Sequence, residues 1–428
     1  MSGRALLATM LALACCTPLA AGQNREAALD TLHWFPEGAY SYLAFCDWTG
    51  LKKTIVFSDF GEVLTNSQFS HLVDSSPLPE LTRESLEWIC MARPLRLRLA
   101  NEREMAQMEQ ARTVVTVNGK VVSGTKKEKP SREEILEHSI RDDEGGLWII
   151  AFYDTRAVVK DGLASGWLSR TGESFKGRPF FSVSAGADEG GQSAFFAYPT
   201  VTNELLVADD LELLKSMAAA GMGQASSFVD GTEFADLSPF IPDLGQSWQV
   251  SVVRSRNREM MELWKDHPEM EQRVNELEEQ YEKGLQYEIT SFEARDTIVD
   301  RTICIFGSDE FASRSAEEIK QKFLKDKEDF KQRSTFTQIT IINDNGEVYE
   351  QRSGLLDRLF NRSSLLSSNK AGKTDVFVED NIVMTVFIWG EKELQTLRFL
   401  KNAAEAANSH DQMNMQITTQ DEKAHHRP

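Results

Sequence analysis

The period of the hydrophobic positions changes repeatedly along the chain, and each change marks an element. Short apolar or alternating runs predict strands at Tyr40–Trp48, Leu147–Tyr153, Phe180–Ser184, Ser193–Tyr198, Glu204–Ala208, Trp248–Val253, Tyr287–Glu293 and Thr302–Phe306, and Thr54–Phe57 is a further apolar run. Two hairpins are expected. Val114–Val117 and Val121–Val122 flank Asn118-Gly119, and Thr337–Ile342 and Glu347–Gln351 flank Asn343-Asp344-Asn345-Gly346. Asp375–Trp389 adds at least one more strand pair.

Helical spacing is expected over Arg25–His33, and over Leu81–Gln110, where Pro94 must kink the helix and Leu86, Ile89, Cys90 and Leu97 form the core stripe. Ser131 can cap a helix with Glu134 as its capping-box partner. Asp209 or Asp210 caps Leu211–Ala220, which Gly221 ends. Pro268 opens a charged helix that stops near Gly284 and carries Met270, Val274, Leu277, Tyr281 and Leu285 on one side. Ser315–Gln332 and Glu393–Ala407 complete the set. Consecutive strands with hairpin turns, backed by a few helices, define an α+β class with mainly antiparallel sheets.

Lys126–Ser131 reads as a polar linker, and the Gly-, Ser-, Pro- and Asp-rich stretch Gly223–Gln246 as the boundary between two halves. The organisation expected is a leader over 1–22, a first α+β domain over 23–224, a second over 246–408 and a disordered tail over 409–428. The two halves are expected to be similar. Each offers an opening strand, a long charged helix, more strands, then strands ending in a helix. The closing units, Ser193–Gly221 and Asp375–Ala407, match in order and spacing rather than in residue identity.

The leader decides the compartment. Arg4 precedes an apolar run from Ala5 to Cys16, followed by Pro18 and the small residues Ala20-Ala21-Gly22. That is the layout of a secretory signal peptide, too short for a span of roughly 20 residues. Cleavage after Gly22 would start the mature chain at Gln23. An alternative is lipidation at Cys15, although Leu13 sits one place from where a lipobox has its leucine. No other segment has the length of a membrane span.

An early Phe35-Pro36 turn, the aromatic strand after it, a Tyr198-Pro199 turn, Leu205–Asp209 (LLVAD) and Leu211–Lys215 (LELLK) form a set. It resembles uncharacterised exported proteins of planctomycete-type bacteria. The resemblance implies export and fold, and no chemistry.

Composition narrows the partners. The net charge is −19, and loss of Arg4 with the leader makes the mature chain more acidic still. Such a field repels phosphate backbones and anionic membranes, which argues against nucleic acid. Of five cysteines, Cys15 and Cys16 fall in the leader. Cys46, Cys90 and Cys304 remain, an odd and sparse set that is no disulfide framework. They are expected to be free and buried, with one Cys46–Cys90 bridge as the alternative.

The search for chemistry yields no catalytic, cofactor-binding or metal residues. His33, His71, His138, His267, His410, His425 and His426 lack zinc-protease spacing. Ser182-Val183-Ser184-Ala185-Gly186 lacks the first glycine of a nucleophile elbow. Cys46 is close in sequence to His33, but burial in a strand argues against reactivity. Two Asp-Glu-Gly-Gly tetrads, at 143–146 and 188–191, and the 343–347 turn lack the alternating ligands of a calcium loop and read as tight turns. The function expected is a non-catalytic, exported binding or scaffold protein of the cell envelope with another envelope protein as partner. The alternatives are a periplasmic or secreted hydrolase with an unrecognised site and a carrier of hydrophobic ligands.

Overall fold

A computed structural model describes residues 30–53, 76–101, 131–142, 145–184, 195–241, 244–294, 297–333 and 373–389, with short pieces at 72, 103–105, 115–117, 120–122, 340–342 and 348–350. The leader, Cys15, the Asn118-Gly119 and 343–347 turns, the second Asp-Glu-Gly-Gly tetrad, the Glu393–Ala407 helix and the tail lie outside the described residues.

The strands, in chain order, are β1 (Tyr40–Cys46), β2 (Leu86–Pro94), β3 (Leu97–Leu99), β4 (Val115–Val117), β5 (Lys120–Val122), β6 (Ile140–Asp142), β7 (Leu147–Phe152), β8 (Leu168–Phe175) and β9 (Arg178–Val183). There follow β10 (Phe195–Pro199), β11 (Glu204–Ala208), β12 (Ser247–Val252), β13 (Leu285–Ala294), β14 (Ile298–Phe306), β15 (Thr340–Ile342), β16 (Val348–Glu350), β17 (Lys373–Glu379) and β18 (Ile382–Trp389). The helices are α1 (Trp48–Lys52), α2 (Arg132–Ser139), α3 (Thr155–Ser165), α4 (Leu211–Gly221), α5 (Thr232–Leu237), α6 (Val253–Trp264), α7 (Glu271–Glu282) and α8 (Asp309–Arg333).

Twelve strands form one antiparallel sheet in the order β17-β18-β14-β13-β12-β1-β2-β7-β11-β10-β9-β8. The α+β class expected from the run of hairpins is therefore the observed one. The remaining strands make three two-stranded ribbons, β3-β6, β4-β5 and β15-β16. The β1–β12 pair, in register from Tyr42↔Ser251 to Cys46↔Ser247, joins the two halves of the chain in a single sheet. Counted outward from that pair, one half runs β1, β2, β7, β11, β10 and the other β12, β13, β14, β18, β17. In each half a helix follows the third strand, α3 after β7 and α8 after β14, before the hairpin that supplies the fourth and fifth.

Side chains alternate across a strand, so the sheet has two faces with separate cores. On the first face Leu43, Phe45, Cys90, Ile149, Leu206, Trp248, Val250 and Ile289 pack with Leu214 and Met217 of α4 and Leu237 of α5. On the second, Cys46, Ile89, Met91, Trp148, Ile150, Phe152 and Leu205 pack with Trp48 and Leu51 of α1 and Val158 of α3. Farther along the second face, Ala312 and Ala316 of α8 cover Phe306 and Val383. β7 is buried at every position. That agrees with its unbroken apolar run.

Three expectations need correction. In the described part of Leu81–Gln110, residues 86–94 and 97–99 are strand rather than a kinked helix. A 3₁₀ turn (Glu80–Ser85) leads into β2, which holds Cys90, and then β3. Leu, Met, Ala, Arg and Glu favour helix in isolation, but β2 lies between β1 and β7 with residues buried on both faces, and that pairing outweighs propensity. Among the described residues, the long charged helix expected in both halves is found in the second, as α7. Within Gly223–Gln246, which links the halves, Phe228, Leu237, Ile241 and Leu244 enter the first-face core. The Cys46–Cys90 bridge is excluded by topology. Phe45 pairs with Cys90, so the two thiols stand on opposite faces, and both are free.

Other signals are realised as read. Ser131 and Glu134 form the capping box of α2. Asp210, not Asp209, caps α4, accepting from the N–H groups of Glu212 and Leu213. The first Asp-Glu-Gly-Gly tetrad needs its glycines for close approach. A Cβ on Gly146 would lie 2.2 Å from the Trp148 ring, and one on Gly145 2.6 Å from the Asp209 carboxylate.

Candidate functional site

The middle of the second face departs from the rest of the sheet. Between the cores under α1 and α3 and under α8, neighbouring strands line up two rows of polar side chains. One row crosses β2, β1, β12, β13 and β14 as Arg93, Tyr42, Ser251, Glu288 and Cys304. The next crosses β12, β13, β14 and β18 as Gln249, Thr290, Thr302 and Thr385. All but the buried Thr385 are half-buried. The row directly behind them, on the first face, is Ala92, Leu43, Val250, Ile289, Ile303 and Met384, all buried.

The Tyr42 hydroxyl donates to Oε1 of Gln249 at 2.9 Å. The Arg93 Nε is buried with no hydrogen-bond partner. Arg93 and Glu288 lie three strand spacings apart, about 14 Å, so the strip carries a cation towards one end and an anion towards the other. Burial pushes the Tyr42 hydroxyl up to about 12, with the Arg93 charge pulling against it. Burial, then the Glu288 charge, pushes the Cys304 thiol up to about 12. The strip offers neutral hydroxyls, a thiol, an amide and two opposite charges. It suits hydrogen-bonded recognition rather than nucleophilic attack.

A second polar cluster lies on the first face, where α5 meets α6. Ser255 donates to the Glu233 carboxylate, whose other oxygen is buried without a partner. Burial raises the Glu233 carboxyl, against the opposing Ser255 hydrogen bond and the Arg258 and Arg254 charges. The Tyr287 hydroxyl donates to Asp236 at 3.0 Å, and the Arg254 guanidinium stacks 5.1 Å from the Tyr281 ring. These contacts fasten α5 and α6 over β13.

The residues weighed for chemistry are scattered. His33 sits in an exposed turn whose Leu32 enters the first-face core, whereas Cys46 is on the second face. Burial pushes the Cys46 thiol up to about 12 and raises that of Cys90 further. The His138 ring bonds the Glu134 carbonyl within its own helix. The Ser182 hydroxyl pairs with that of Ser169 at 2.7 Å across β8 and β9. Among the described residues no three His, Cys, Asp or Glu side chains gather as metal ligands, and no helix is long and apolar enough to cross a membrane.

Sequence reasoning missed the strip, although its signal was present. Trp248-Gln249-Val250-Ser251-Val252 alternates strictly, as do Tyr287–Thr290 and Thr302–Ile305, and strict alternation means one wet face. No family model matches the chain, and neither a curated protein nor a solved structure is detectably similar to it.

Proposed function

We propose that this chain is an exported, non-catalytic binding or scaffold protein of the cell envelope, and that the polar strip is the surface with which it holds its partner. The observation that carries the reading is the strip itself. Backed by an apolar row on the first face, the middle of the second face sets Arg93, Tyr42, Ser251, Gln249, Glu288, Thr290 and Thr302 side by side, half-buried. Buried donors and acceptors are normally satisfied, and the Arg93 Nε is a donor whose acceptor a partner would supply. A protein segment with a carboxylate towards Arg93 and a cation towards Glu288 fits the charges. Two further features support a binder. The three mature cysteines are held as protonated thiols, poor nucleophiles at neutral pH. The leader supports export. The matching outward strand order is the ground for reading the two halves as copies of one ancestral α+β unit.

Photo-crosslinking from the strip tests the reading. A crosslinker at Thr290 should trap an envelope protein in intact cells, and a crosslinker at exposed Ser169 should not. Arg93→Glu should abolish the adduct. Equal trapping from both positions, or turnover of a hydrolase substrate that survives Arg93→Glu, would overturn it. Amino-terminal sequencing of the exported chain should begin at Gln23.

A further inference from the structure

α5 lies in the stretch that links the two halves, and little of it is buried. It has six residues, too few to stay helical alone, so its docking keeps it folded. Gly231 stands at its N-cap and gives the first turn no side-chain cap. Its buried side chain is Leu237, with Phe234 half-buried against the Phe228 ring. Two carboxylates add to this apolar hold. Asp236 accepts from the Tyr287 hydroxyl of β13 at 3.0 Å. Glu233 accepts from the hydroxyl of Ser255, a buried residue of α6, through one oxygen, and its other oxygen is buried with no hydrogen-bond partner. A buried oxygen left in that state is far more unfavourable on a charged carboxylate than on a protonated one.

We propose that α5 is a proton-operated latch: a proton taken up by Glu233 tightens the helix on α6 and β13, and its loss lets the helix open. Among the described residues, the groups that face Glu233 come from four elements. On α6 the Ser255 hydroxyl, Arg258 and Arg254 favour the carboxylate, and on α5 itself the Asp236 charge opposes it. Tyr40 of β1 and Tyr287 of β13 are close enough to sense the Glu233 charge. Burial raises both hydroxyls, Asp236 adds to it at Tyr287, and both stay protonated. At Glu233 burial outweighs the two arginines and holds the carboxyl above its ordinary 4.5. The docked helix therefore keeps a proton that the open helix releases. The stabilisation is complete below the ordinary value and is lost as pH rises through the raised one. Short, weakly buried elements are the ones that open locally, so the proton acts on α5 before it acts on the sheet. The latch is on the first face and does not rest on what the polar strip binds.

Hydrogen exchange of the full chain, read by mass spectrometry from pH 4.5 to 8 and corrected for the chemical exchange rate, tests the latch. In wild type, protection at α5 should fall as pH rises, including that of the Ser238 N–H, which donates to the Phe234 carbonyl at 2.7 Å. Glu233→Gln keeps an acceptor for Ser255 and carries no charge. It should lose this pH dependence, and at pH 8 its α5 should be better protected than that of wild type. Ser255→Ala removes a hydrogen bond that favours the carboxylate, so the fall in protection should move to higher pH. Asp300 ionises alike in wild type and Glu233→Gln and cancels from the comparison. Equal exchange at α4 shows that the variants are folded. Protection at α5 that rises with pH, or that is weaker in Glu233→Gln than in wild type at pH 8 with α4 unchanged, would make Glu233 an ion-pair partner of Arg254 and Arg258 and overturn the proposal. A Ser255→Ala profile that stays where the wild-type profile lies would overturn it too.

Discussion

The side-chain amide of Asn203 donates to the carbonyl oxygen of Phe152 at 2.6 Å, fastening the β10–β11 turn to the end of β7. Asn381, in the β17–β18 turn, donates in the same way to the carbonyl of Phe306 at the end of β14. Each phenylalanine closes a strand, and two residues later a cap opens a helix. Asp154 accepts the Ala157 N–H at 3.1 Å, and Ser308 accepts the Phe311 N–H at 3.4 Å. Asn203 does more than its counterpart. Its Oδ1 accepts the Thr155 N–H at 3.0 Å, and its backbone is left-handed at φ +75°. Asn203→Ala should therefore lower the unfolding free energy by about 2–4 kcal/mol, through two lost hydrogen bonds and an alanine in the left-handed region. Asn203→Gly keeps the backbone and should lose about half of that. Urea titrations of the two variants give the comparison, and equal losses would mean that backbone conformation contributes nothing.

Gly307 follows Phe306 as Tyr153 follows Phe152, but the two positions should respond very unequally to alanine. A Cβ on Gly307 would meet the Glu282 carbonyl oxygen at 1.9 Å, while the Gly307 N–H donates to the Gly284 carbonyl at 2.9 Å. Backbone packed against backbone cannot yield as a side chain can. Gly307→Ala should cost about 2–4 kcal/mol in a thermal or urea melt. Tyr153 is 56% exposed, and Tyr153→Ala should cost under about 1 kcal/mol.

The cysteines make a prediction that needs no variant. Cys46, Cys90 and Cys304 are free, and burial raises all three thiols. The chain cleaved after Gly22, as proposed, should titrate three thiols when denatured without reductant. The folded protein should react slowly at pH 8 even at half-buried Cys304, because its thiolate forms only near pH 12. A single titratable thiol in denaturant would show that the opposite-face geometry is wrong.

The sheet was legible where one strand's chemistry decided its fate, and illegible where neighbours decided it. Leu147–Phe152 is apolar throughout and could only be a strand buried on both faces. Glu204–Ala208 and the capped Leu211–Gly221 followed from turn and capping residues with local causes. β2 was misread because helix-favouring residues are forced into strand by β1 and β7, partners distant in sequence. The polar strip could be seen one strand at a time as alternation. Only the registers Tyr42↔Ser251, Ser251↔Glu288 and Glu288↔Cys304 turn those alternations into one surface, and register between distant strands is not written in any of them.

Asp300 gives the fold a pH dependence of predictable sign. Its cross-strand neighbours are Phe292 on β13 and Phe387 on β18, so its carboxyl stands between two aromatic side chains. Burial pushes it from 3.8 up to about 7, and the adjacent Arg301 charge only partly opposes this. The folded state therefore holds a proton that the unfolded chain releases near pH 4. Its stabilising contribution is complete below the unfolded value, falls as pH rises from about 4 to about 7, and is gone above that. Asp300→Asn removes the titration while keeping the shape. Its unfolding free energy relative to wild type should rise through this window by on the order of 2 kcal/mol and then level off above about pH 7. The difference between the two proteins, measured by urea denaturation from pH 4.5 to 8, isolates this one carboxyl from the other acidic residues. A difference that stays constant across that range would show that Asp300 ionises in the folded protein as it does in the unfolded chain.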